Sequence, residues 1–290
     1  MPRRHLKESA MSYKTILVHV DQSPHAATRI ALAAQLAASQ DAHLIGAALT
    51  GLTVEYYRNS GATFAGPLPQ EELDEITRRG EQALDRFETQ ARNAGVSYER
   101  RYSDDEPEVG LVLQARYADL VVLGQTDPAT EGLPMLRKLP EYVALYGGRP
   151  VLMVPYAGAF PHLDRHALVA WDGSRAATRA VTDALPLLRK SARTTLVLFN
   201  AERQYGVHGE QPGADIALFL ARHGVKVEVL QQSTAPGMDV GNALLSLASD
   251  IGADLLVTGA YGHLRWRELV LGGVTRRLMQ SMTLPVLMSH

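Results

Sequence analysis

The 290-residue chain contains no cysteine. Disulfides, thiolate metal sites, iron–sulfur clusters and cysteine nucleophiles are therefore excluded. It also lacks any excess of charge: 29 basic and 31 acidic residues leave a formal net charge of -2. There is then no broad attraction to nucleic acid or to anionic membrane, and any anion site must be local. No apolar run is long enough to cross a bilayer, and the start, MPRRHLKESAMSYK, is basic without an apolar core. The expected location is the cytoplasm, with neither nucleic acid nor membrane as partner. Residues 1–12 are polar and aperiodic, and no function is assigned to them. The GxxxxGK(S/T) pattern is missing, and no GxGxxG follows the first strand of either half, which excludes ordinary P-loop and dinucleotide-binding readings. The histidines stand at none of the spacings of a metal site or a Ser/His/Asp arrangement, so no catalytic and no metal-ligating residue is assigned.

What the chain does contain is itself, twice. Ile16-Leu17-Val18-His19-Val20-Asp21-Gln22-Ser23 reappears as Ala167-Leu168-Val169-Ala170-Trp171-Asp172-Gly173-Ser174, at an offset of 151 residues. Ala118-Asp119-Leu120 returns as Ala253-Asp254-Leu255, and Pro150-Val151-Leu152-Met153 as Pro285-Val286-Leu287-Met288, at an offset of 135. The first half thus carries 16 extra residues between these landmarks, and the Gly/Pro-rich stretch 59–69 is the expected place for them. A Pro/Gly-containing segment around residue 160 separates the copies, giving domains 12–156 and 165–290.

Within each half, short β-branched runs alternate with helical patterns, the signature of βαβ units. In the second half the runs are 167–171, 195–199, 225–230, 254–258 and 284–288. Val240, Ala243, Leu244, Leu247, Ala248 and Ile251 recur at helical spacing as one buried face, and Val109, Val112 and Leu113 are expected to keep part of it in the first half. Ser23, before Pro24, and Ser174 read as N-caps of the helices that follow strand 1. The fold class is α/β: two tandem Rossmann-like domains, each an open, mostly parallel five-stranded sheet of order 3-2-1-4-5.

In such a sheet ligands bind beyond the carboxyl ends of the strands, where strand order reverses, here between strands 1 and 4. In the second half Asp172 ends strand 1, and Gly259-Ala260-Tyr261-Gly262 begins where strand 4 ends. Gly272-Gly273-Val274-Thr275 puts small residues with free amides at the start of the last helix, which suits a phosphate. His263, Arg265 and Arg267 lie between and could neutralise phosphate oxygens. Asp172 would repel phosphate, so its place is at a ribose or base group, or at a divalent cation. Each signal has a plainer reading: the aspartates as acceptors for loop amides, the glycines as turn formers, and the basic cluster as a solvated loop or partner surface.

Gly259-x-x-Gly262, nine residues, then Gly272-Gly273-Val274-Thr275 resembles the G-2x-G-9x-G-(S/T) nucleotide loop of the universal stress proteins. The strand-1 aspartates, both Ala-Asp-Leu strands and both Pro-Val-Leu strands are similar too. The resemblance spans about Tyr13 to His290 and implies an adenine nucleotide alpha hydrolase-like fold and a stress-response role. It also implies ATP as ligand, with Mg²⁺ an open question. It places the contacts at Ala170, Asp172, Gly259, Gly262, Gly272, Gly273, Val274 and Thr275, to which the basic loop adds His263 and Arg265. Gly273 departs from the pattern by lacking the usual hydroxyl. In the first half the counterparts of Gly262, Gly272 and Gly273 are Asp127, Arg137 and Lys138, and only Gly124 survives, so no nucleotide is expected there. The resemblance also implies that Val151–Val154 and Val286–Met288 pair, making one chain mimic a family dimer, with further pairing of chains left open. A nucleotide-free module that binds a protein partner or a small apolar ligand is the alternative. Nothing in the chain demands hydrolysis, which needs a group to position water.

Overall fold

Strand β1 (Thr15–His19) sets the pattern: Ile16 and Val18 enter one core and Leu17 the other, the period-2 alternation of a sheet covered on both faces. The computed structural model describes residues 12–51, 70–128, 139–203, 209–235, 237–260 and 273–290. The first half continues with α1 (Ala26–Gln40), β2 (His43–Leu49), α2 (Gln70–Asn93), β3 (Tyr98–Ser103), α3 (Pro107–Ala115), β4 (Leu120–Gly124), α4 (Leu139–Tyr146) and β5 (Val151–Val154). The second half holds β6 (His166–Ala170), α5 (Arg175–Leu188), β7 (Arg193–Phe199), α6 (Ala214–Arg222), β8 (Val227–Gln232), α7 (Val240–Asp250), β9 (Leu255–Gly259), α8 (Gly273–Ser281) and β10 (Val286–Ser289).

Each half has the expected 3-2-1-4-5 order, and the two join into one ten-stranded sheet, β3-β2-β1-β4-β5-β10-β9-β6-β7-β8. All neighbours are parallel except β5 and β10, which pair antiparallel with Leu152 opposite Leu287. Leu152 and Leu287 are counterparts at the 135-residue offset, so the pseudo-twofold axis passes between them. One core, under α1, α2, α5 and α6, and a second, under α3, α4, α7 and α8, run across both halves without a break. Among the described residues no helix is long and apolar enough to cross a membrane.

The Ala-Asp-Leu repeat has a structural task. Asp119 Oδ2 accepts the amides of Lys14 and Thr15 at 2.7 and 3.0 Å, and Asp254 accepts those of Arg165 and His166 at 2.9 and 3.0 Å. Each carboxylate ties the start of the fourth strand of its half to the start of the first.

Three expectations need correction. Ser174 Oγ does accept the Ala177 amide at 3.1 Å, but Ser23 caps nothing: α1 begins only after His25, and Ser23 Oγ is buried without a partner. The buried face of α3 is Pro107, Gly110, Leu111, Val112 and Ala115, while Val109 and Leu113 are 52% and 50% exposed. The second-half face does not transfer: at the 135-residue offset both helices stop at the same place, before Arg116 and Ile251, but α3 starts two residues later and their closing bonds differ. Helix α7 closes through Gly252 at φ 64°, with the Ala253 amide reaching back to Ala248 O. Tyr117 stands at Gly252's place, where a side chain disfavours that conformation, so α3 ends in tight turns, Tyr117 to Gln114 and Ala118 to Ala115. Finally, the first half's surplus is largely helical: α2 has 24 residues against 9 in α6. The stretch 59–69 lies outside the described residues.

Candidate functional site

Register brings the second-half residues together. Ala167, Leu168 and Val169 of β6 lie beside Leu255, Leu256 and Val257 of β9, so Ala170-Trp171-Asp172 and Gly259-Ala260 leave the same sheet edge side by side. Asp172 is half-buried, and its Oδ1 accepts the Ser174 amide at 2.9 Å, which fixes the carboxylate at the strand end. Among the described residues no cation pairs with it. A Cβ on Gly259 would stand 2.5 Å from the Ala177 amide nitrogen and 2.7 Å from the Ala176 carbonyl carbon. Glycine there lets the first turn of α5 close onto the strand end.

Helix α8 returns from this edge to β10, so its amino end, with Gly273, Val274 and Thr275, faces the crevice side. Gly273 is exposed, Val274 half-buried and Thr275 buried. The amides of such a turn attract an anion. Among the described residues only Asp239 Oδ2 comes near the position of a Cβ on Gly273, at 4.0 Å, so none of them obstructs a serine there. Asp239 escaped the sequence reading. It caps α7 by accepting the Asn242 amide at 2.9 Å and lies 3.9 Å from Arg277 Nε, and it sets an acid beside the anion-attracting end of α8. Its Asp-x-x-Asn cap pattern was visible, but its distance to Gly273 was not. Gly262, His263, Arg265, Gly272 and the neighbouring Arg267 lie outside the described residues. Among those described, no group of three or more His, Asp or Glu could hold a metal ion.

The first-half crevice is built differently. Asp21 Oδ1 also accepts its Ser23 amide, at 3.0 Å, but the carboxylate is ion-paired with Arg29 Nη2 at 2.9 Å and lies 3.6 Å from His19 Nδ1. Arg29 reaches in from α1, is 3% exposed, and donates from Nε to the His19 carbonyl at 2.8 Å. A Cβ on Gly124 would collide with Arg29 Nη1. Burial by itself would raise the Asp21 carboxyl, but Arg29, His19 and the Ser23 amide outweigh it and hold the group below the usual carboxylate range. Burial lowers His19 to about 4, with Asp21 opposing and Arg29 adding to the fall. Asp127, expected on the phosphate path, instead meets His25 Nε2 at 3.0 Å. Gln125 bridges the halves, donating to Met279 O at 3.0 Å and accepting the Tyr156 amide at 3.3 Å. Arg137 and Lys138 lie outside the described residues.

Comparison with known proteins agrees with this architecture. The universal stress protein family matches residues 12–155 and, separately, 165–290. A universal stress protein from Archaeoglobus fulgidus is 17% identical with a TM-score of 0.69, and the alignment covers 94% of each chain. A putative universal stress protein from Pseudomonas aeruginosa is 14% identical with a TM-score of 0.54, over 95% of this chain and 92% of that one. A universal stress protein solved in complex with cAMP is 25% identical with a TM-score of 0.36, and all of it aligns to 51% of this chain. No curated protein matches. With both halves matched by the same family, the chain belongs to the universal stress protein family and carries its domain twice.

Proposed function

We propose that this chain is a cytoplasmic stress-response protein that binds an adenine nucleotide, ATP, in its second half, residues 165–290, while residues 12–156 form a degenerate partner domain. The observation that carries this reading is the meeting of Asp172, Gly259 and the amino end of α8 at the strand-order reversal of the second half-sheet. Asp172, held by the Ser174 amide, keeps an oxygen for a ribose or base donor. Phosphates lie outward, toward the α8 amides and the loop with Gly262, His263, Arg265 and Gly272. The activity proposed is binding; phosphate released above a no-protein control would add slow hydrolysis to it.

Native mass spectrometry of gently purified protein, followed by calorimetric titration with ATP and Mg²⁺, tests the reading on wild type, Asp172→Ala and Gly262→Asp. Bound nucleotide lost in both variants is the expected result. No nucleotide and no heat at millimolar ATP would overturn it. The second reading, a nucleotide-free interaction module, is favoured by Asp239, whose acid faces the end of α8 where phosphate would lie, and by the missing hydroxyl at Gly273.

A further inference from the structure

The crevice between the ends of β1 and β4 holds two matched pairs. Asp21 is taken by Arg29, and Asp127 by His25, whose ring also lies 5.9 Å from that of Tyr156. Arg29 spans the gap between both strand ends: its Nε holds the His19 carbonyl that closes β1, and its Nη1 stands against Gly124, which closes β4. A guanidinium is costly to bury unless its charge is paired and its donors find acceptors; here Asp21 supplies the opposite charge 2.9 Å from Nη2 and the His19 carbonyl accepts from Nε, while Nη2 itself makes no hydrogen bond. In the second half the counterpart of Arg29 is Ala180, buried and without a polar group, and the counterpart of His19 is Ala170. The two end-of-strand glycines differ to match: Gly259 makes room for the backbone of α5, whereas Gly124 makes room for the guanidinium. Helix α1 also starts two residues behind α5 at the 151-residue offset.

We propose that the first half is a self-liganded site: Arg29 is a tethered ligand that fills the crevice at the β1/β4 switch point, and it is the residue that makes the two halves unequal. Asp21, the counterpart of the nucleotide-site Asp172, is then consumed inside the fold, and the first half takes no ligand from solution. The chemistry that fits the space Arg29 occupies is a small planar cation with forked donors, since that is what Asp21 and the His19 carbonyl now hold.

The test is Arg29→Ala in the full chain, which copies Ala180, probed with methylguanidinium at low millimolar concentration and with methylammonium as the cation lacking a fork. The variant should melt below wild type, and methylguanidinium should raise its Tm by about 3 °C at ten times the dissociation constant. Neither wild type under methylguanidinium nor the variant under methylammonium should show that rise. Asp21→Asn/Arg29→Ala removes the stranded carboxylate, so it should melt above Arg29→Ala and lose the methylguanidinium response. If Arg29→Ala does not fold, refolding it with and without methylguanidinium decides the same question, recovery supporting the proposal. No selective rise, no recovery, or an equal response in the double variant would overturn it. Nucleotide takes no part in this readout, so it stands or falls apart from ATP binding in the second half.

Discussion

Burial of His19 makes the stability of this fold depend on pH between about 6.5 and 4. The unfolded chain takes up its proton near the ordinary 6.5, while the folded chain does not until about 4. The stability contributed by neutral His19 is therefore complete above pH 6.5 and drains away as pH falls toward 4, by about 2 kcal/mol between pH 7 and 5. Asp21, held low by Arg29, extends the loss further into acid. Urea unfolding at pH 7 and pH 5 should show this loss in wild type, and His19→Ala should be flatter by that amount; equal slopes would remove His19 as the cause. Gly273 carries the second prediction at this scale. The described residues around it admit a serine, and a hydroxyl donor to a charged phosphate contributes about 1.5 kcal/mol, so Gly273→Ser should tighten ATP roughly tenfold in calorimetry. A hydroxyl that leaves affinity unchanged would mean that phosphate does not reach α8. The sequence made Asp21 and Asp172 visible because they sit in a repeat, and Gly273 because it lies in a run of small residues at the start of the last helix. Arg29 was not legible, since only packing reveals that its side chain turns inward from α1 to meet Asp21, and Asp239 was missed because it approaches from a different helix.

At the level of elements, the two copies of one helix start show how much a cap depends on its turn. Ser174 bonds the Ala177 amide and starts α5 at Arg175, whereas Ser23, in the same motif, points into the protein with its hydroxyl unpaired. Ser174→Ala should destabilise by about 1 kcal/mol, while Ser23→Ala, which removes a buried hydroxyl that bonds nothing, should leave stability unchanged or raise it. Chemical denaturation of the two variants side by side checks the contrast, and equal losses would contradict it. Strand positions, the face of α7 and the strand order were legible because strand and helix periods are local and the copies could be compared. The face of α3 was not, because the helix starts two residues later than the comparison with α7 implies and buries Gly110, Leu111 and Val112 in place of Val109 and Leu113. The length of α2 was overlooked although Ala83, Leu84, Phe87 and Ala91 recur at helical spacing as its buried face, and Leu73 and Ile76 continue that stripe toward its start.

Over the whole molecule, the sheet has two kinds of boundary. Its outer strands, β3 and β8, carry Glu99, Arg100 and Arg101 on one side and Glu228, Gln231 and Gln232 on the other, polar side chains that discourage another chain from adding to the sheet. Its inner boundary is the reverse: Val151–Val154 and Val286–Ser289 are buried throughout and apolar but for Ser289. Polar contacts fasten the seam, among them Tyr13 Oη to Asp183 O at 2.6 Å, Arg179 to Gly148 O at 2.8 Å and Gln125 to Met279 O at 3.0 Å. Because Leu152 and Leu287 are counterparts and face each other, a strand with the features of β10 can pair with a copy of itself around the same axis, Leu287 against Leu287. Residues 165–290 expressed alone should thus form a homodimer through β10, with twice the monomer mass in sedimentation equilibrium. Leu287→Lys in that fragment should give a monomer, since two ammonium groups would then meet in a dry seam. A folded monomer of the unmodified fragment would show instead that the first half supplies something to the seam that β10 cannot supply to itself, with Gln125 and Tyr13 as the first residues to examine.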